Sequence, residues 1–222
     1  MDEKKPKIIN MSLPIFSLLI ISISLLSSIF PGMASVIIFD RGAILSGEVW
    51  RLFTCHFVHF SNSHLAYNIF AFGIAGYVIE KKQYPNFSLL YLCLTISIST
   101  SLIILEPNMA FYGGLSGVAC GTLYYCALMG IRENRPWQRI CLLVVLFLPI
   151  KIAAEVFTNA SILPYWEKQT FVPMQTSHIM GCTIAVLFYM YEKKRKNSSD
   201  QALHQTAGTF AALTRQGSWR GW

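Results

Sequence analysis

Tyr112-Gly113-Gly114-Leu115-Ser116-Gly117-Val118-Ala119-Cys120-Gly121 lies inside an uncharged run, residues 109–131. Its reading decides what the rest of the chain has to be. Gly113, Gly117 and Gly121 recur at i, i+4 and i+8, so in a helix they share one face. Such a stripe of small residues lets a neighbouring backbone approach closely, as in packed membrane helices. Ser116 sits in the middle of it, between Gly114 and Gly117. Two readings compete. In one the stretch is a packing stripe with an incidental serine. In the other it is a nucleophile held at a tightly packed helix start.

Composition sets the environment. Of 222 residues 54% are hydrophobic and only 13% charged, with mean hydropathy +0.46. Soluble domains carry about a quarter charged residues, so this pattern predicts an integral membrane protein. The net charge of +7 would suit nucleic acid in a soluble chain. Here the basic residues fall in short connections and in the tail, which speaks for topology and against a nucleic-acid partner. The six cysteines show no C-x-x-C spacing, so neither a metal knuckle nor a disulfide framework is predicted. No cofactor or metal is expected. Cys55, His56, His59 and His64 are close in sequence, but their spacing is not a metal-ligand signature.

Residues 1–8 read as a charged cap. A first spanning helix is predicted over roughly residues 9–30, ended by Pro31-Gly32. A cleaved signal peptide would need a shorter apolar region and an A-x-A site. Residues 33–63 mix Asp40, Arg41, Glu48, Trp50 and Arg51 with apolar positions, the composition of a segment lying in the membrane interface. Further apolar runs follow at residues 60–79, 86–105, 109–131, 140–159 and 171–191. Each approaches the ~20 residues a spanning helix needs. The expectation is an all-α, six-span membrane domain over 9–191 and a basic, weakly structured tail over 192–222. With six spans, 14 of the 18 Lys and Arg gather on the side of both termini, which predicts that both termini are cytoplasmic.

That topology aligns the polar residues. His64 and Asn68, Ser116, and His178 each fall near the start of a run entering from the outer face. Ser116 and His178 each lie seven positions into their runs, roughly 10 Å deep if the runs are helical. A serine hydroxyl needs a base, and histidine is the natural one. Gly181, three positions after His178, would let its helix press against the glycine stripe. His64 and Asn68 suit an oxyanion site. Against this, each residue has a structural reading: a back-bonded serine, packed core histidines, an asparagine joining helices. Lys151 and Glu155, at i, i+4 in the fifth run, read as a helix-face ion pair or a proton relay.

The segment from Gly47-Glu48-Val49-Trp50-Arg51 to His64…Asn68, with Gly114-Leu115-Ser116-Gly117 and His178…Gly181, resembles the rhomboid intramembrane serine proteases. The resemblance covers roughly residues 40–191. It implies a membrane-embedded first loop opened by Trp50-Arg51 and a Ser116–His178 dyad. It further implies an oxyanion site of His64, Asn68 and the Ser116 N–H, with no third carboxylate. The Gly47-to-His59 run and Lys151…Glu155 resemble the rhombosortase branch. That likeness implies a bacterial inner-membrane enzyme acting on secreted proteins with a C-terminal Gly-Gly motif, an apolar helix and a basic end. Val49 and Ser177 depart from the usual residues, a second Trp in that branch and Ala before the histidine in rhomboids. A general rhomboid protease is the alternative. So is a non-catalytic helix-binding relative, which would have lost the Ser or the His. A six-helix transporter would show inverted repeats and broken midplane helices, and neither is evident.

Overall fold

A computed structural model describes residues 13–164, 166 and 174–217. The predicted 1–8 cap lies outside the described residues, as do the first positions of the first predicted span and Lys168. Nine helices are described: α1 (Ile15–Ile29), α2 (Pro31–Ile37), α3 (Arg41–Leu45), α4 (Arg51–Thr54), α5 (Asn62–Lys82), α6 (Phe87–Leu105), α7 (Ser116–Gly130), α8 (Trp137–Thr158) and α9 (Gln175–Gly217). A 3-10 turn, Cys55–Phe57, follows α4. The all-α expectation misses one short ladder: β1 (Phe39–Asp40) pairs antiparallel with β2 (Phe111–Tyr112). Two helices, α6 and α8, are by themselves long and apolar enough to cross a membrane. The pair α1 and α2 would be a third if counted together, but it bends by 113°. Pro31 makes that bend. It opens α2 and has no N–H to continue α1.

The surface is more apolar than the interior requires. Leu142, Leu143, Leu146, Phe147 and Ile150 project outward from α8, while Ser17, Ser24, Thr95, Ser99, Thr122 and Glu155 are buried. In water that arrangement would be unstable; in lipid only the buried polar groups need partners. They have them. Ser24 and Ser27 donate back to Ile20 O and Ser24 O, and Ser27 also reaches Phe57 O. Glu80, near the end of α5, accepts the Phe16 and Ser17 N–H groups at 3.0 Å and so caps α1.

The segment between α1 and α5 is tied down by two arginines. Arg51 is buried, donating to Ile38 O at 2.8 Å, Ser35 O at 3.1 Å and the Glu48 carboxylate at 2.7 Å. It joins α2 to α4. Trp50 stays half-exposed, its indole N–H reaching Val36 O at 3.4 Å. Arg41 donates to Leu102 O, Ile103 O, Glu106 O and Met109 O, closing the carbonyl end of α6.

Two expectations change. The run 109–131 is not one helix: its first part is β2 and a glycine turn, and α7 holds only 15 residues. At 1.5 Å per residue α7 extends roughly 22 Å, less than a bilayer core. The depth arithmetic for Ser116 therefore fails, because the chain before it is extended. Gly113 consequently lies outside the stripe and packs on Val58. The polar tail, expected to carry little structure, continues α9 as helix to Gly217. It holds several Lys, Gln and Ala and has no proline, and Ser198 and Ser199 bond back to Lys194 O and Arg195 O.

Candidate active site

Ser116 is the first residue of α7. Its N–H is therefore one of the four that a helix leaves without an internal acceptor. The turn before it is fixed from several sides. Gly114 has φ +144°, a conformation that L side chains rarely adopt, and a Cβ there would lie 2.8 Å from His64 Cε1. Gly114 N–H donates to Cys55 O at 3.2 Å, and Gly114 O accepts from the Tyr112 hydroxyl at 3.3 Å. The Leu115 N–H donates to His59 Nε2 at 3.3 Å. That leaves the His59 proton on Nδ1, which faces Phe57 O at 3.1 Å. His56, wholly buried, lies 3.3 Å from Gly114 O and 3.1 Å from Thr95 O and Ser99 Oγ. It bridges the first loop, α6 and the Gly114 turn.

The glycines set the approach of α9. A Cβ on Gly117 would lie 2.7 Å from Ser177 O; one on Gly121 would lie 2.8 Å from Gly181 O. One on Gly181 would collide with the Gly117 carbonyl. So α7 and α9 meet backbone to backbone, Gly117 and Gly121 against Ser177 and Gly181. Ser177, the departure before the histidine, is fully buried and donates to Met174 O at 2.7 Å. Across the site, Ser61 caps α5 by accepting the His64 N–H at 3.2 Å, and Asn68 follows His64 one turn later.

These elements enclose a cavity of about 520 Å³ lined by Ser116, His178, His64 and Asn68, together with Lys151 and Glu155. Ser116 is half-buried; His64, Asn68 and His178 are buried. Asn68 Nδ2 has no hydrogen-bond partner among the described residues. A buried amide donor at a cavity wall is costly to leave empty and suits a ligand oxygen. Glu155 pairs with Lys151 at 2.7 Å and lies 3.4 Å from His178 Nδ1. Trp50 and Arg51 are not among the lining residues. A second serine–histidine contact, Ser99 with His56, is fully buried outside the cavity, and Ser99 Oγ is already given to Leu52 O at 2.7 Å.

Sequence reasoning had no role for His56, His59 or Tyr112 in holding the serine turn. Their only signal was a cluster of histidines in an apolar setting. It also read Glu155 only along its own helix, where His178 is invisible.

A helix bundle with an apolar exterior and a cavity, walled by α5, α7, α8 and α9, that both a serine and a histidine line defines a polytopic membrane protein. The chain belongs to the rhomboid family: the rhomboid domain matches residues 46–195. Among curated relatives, Rhomboid protease GlpG of Salmonella choleraesuis (strain SC-B67) is 30% identical over 90 residues, covering 40% of this chain and 32% of that protein. Its counterpart in Salmonella paratyphi A is 27% identical over 114 residues, covering 51% and 41%. The chain thus spans between a third and about two fifths of the length of these relatives.

Proposed function

We propose that this protein is an intramembrane serine peptidase in which Ser116 attacks a peptide carbonyl and His178 takes, then returns, the proton. The observation that carries this reading is that Ser116, His178, His64 and Asn68, from α7, α9 and α5, line one cavity. Membership of the rhomboid family and the relatives named as proteases support it. Asn68 Nδ2, His64 and the Ser116 N–H are the donors for the oxyanion. The substrate is a membrane-anchored segment that unwinds at small or helix-breaking residues, since an intact helix keeps its carbonyls bonded. The layout is six spans with both termini cytoplasmic, in a bacterial inner membrane. The finer reading is the rhombosortase one, removal of C-terminal Gly-Gly-type sorting tails, supported by the Gly47–His59 run and by Lys151 with Glu155.

A fluorophosphonate probe tests the chemistry. Wild-type protein is labelled; Ser116→Ala and His178→Ala are not. Labelling that survives Ser116→Ala overturns the assignment. No labelling of wild type, with helix binding retained, favours a non-catalytic rhomboid-like binding protein. Mass spectrometry of candidate substrate C-termini, with and without the enzyme, tests the sorting-tail reading.

A further inference from the structure

Glu155 is 1% exposed, and its carboxylate is shared between three groups. Oε1 accepts the Ile162 N–H at 3.2 Å. Oε2 lies 2.7 Å from Lys151 Nζ and 3.4 Å from His178 Nδ1. A carboxylate at this depth needs neutralising, and Lys151 one turn earlier on α8 does that. The ion pair on α8 would be complete without a histidine from α9. Yet all three side chains line the cavity that also holds Ser116.

We propose that Glu155 is a positioning residue for His178, an inference that rests on the Ser116–His178 reading above. Glu155 faces Nδ1, so it holds the imidazole proton there and leaves the Nε2 lone pair for Ser116. As the bond from Ser116 Oγ to the carbonyl carbon forms, the Oγ proton moves to Nε2. Glu155 stays ionised and stabilises the imidazolium. When the C–N bond breaks, the Nε2 proton goes to the leaving amine. Water then repeats the sequence and frees Ser116. At 3.4 Å the resting contact is a charge–dipole approach and not a formed hydrogen bond. Such contacts tighten when substrate binds. Lys151 keeps Glu155 charged and prevents it from taking the proton itself. The other titratable side chains around the cavity, among the described residues, are His64 and Tyr67 on α5, Tyr112 on β2, Cys120 on α7 and Lys151 on α8.

The test is the fluorophosphonate labelling rate for the full chain in detergent, in wild type, Glu155→Gln and Glu155→Asp. Glu155→Gln is expected to label on the order of 10²-fold more slowly. Glu155→Asp, which keeps the charge one methylene further away, is expected to recover much of the rate. The proposal is overturned if Glu155→Gln labels within about twofold of wild type. It is also overturned if both variants lose rate alike, the result of a purely structural role. Labelling that persists in Ser116→Ala removes the underlying dyad, and is distinguishable because it needs no Glu155 variant.

Discussion

Asn68 shows how a residue's role follows from its partners. It is 6% exposed, lines the cavity and has an amide nitrogen with no acceptor among the described residues. A purely structural asparagine in a membrane helix would bond across to a neighbour. A donor for a transient oxyanion is left open until charge develops. Asn68→Ala is therefore expected to lower kcat by about 10²-fold with little change in KM or melting temperature. Steady-state kinetics beside thermal unfolding would read this. A lowered melting temperature with unchanged kcat would return Asn68 to the structural reading. The same logic was partly legible in the sequence: His64 and Asn68 at i, i+4 share a face whatever surrounds them. That Glu155 meets His178 was not legible, because the contact joins helices separated by a long connection.

Among elements, the junction of α7 and α9 carries the candidate site. Ser116 and His178 begin or nearly begin their helices, so any change in helix separation moves one against the other. Gly117, Gly121 and Gly181 leave no room for a Cβ at that junction. Gly181→Ala is expected to cost about 1–3 kcal/mol through overpacking against the Gly117 carbonyl, and to reduce activity further than stability. Gly32→Ala is the control, since nothing lies within 4 Å of a Cβ there. Thermal unfolding of the two variants, alongside activity, would decide; equal tolerance at both positions would remove the packing argument. The i, i+4 spacing showed that Gly117 and Gly121 share a face. It misjudged Gly113, because the helix begins only at Ser116, after the turn that Gly114 makes at φ +144°.

At the scale of the molecule, the apolar exterior of α8 and the buried polar groups fit a chain dissolved in lipid. The basic residues beside α5 and α6 (Lys81, Lys82), before α8 (Arg132, Arg135, Arg139) and along α9 after Glu192 predict one cytoplasmic face. Reporter fusions after residue 83, residue 134 and residue 217 are expected to read cytoplasmic, and a fusion after residue 107 to read external. A cytoplasmic signal from residue 107 would break the six-span layout. α9, at 43 residues and roughly 65 Å, is longer than a bilayer is thick, so its polar half extends beyond the apolar layer.

Composition and periodicity alone determined that this is a helical membrane protein, which runs are apolar, and which few polar residues lie within them. These are local properties: hydropathy accumulates over a window, and helical spacing relates only near neighbours. Only the tertiary structure decided which polar residues meet. The β1–β2 ladder, the His56 and His59 contacts to the Gly114 turn, and the approach of Glu155 to His178 each join residues far apart in sequence. Their pairing depends on how closely helices pack, and that distance is set by glycines whose effect appears only once a second helix lies against them.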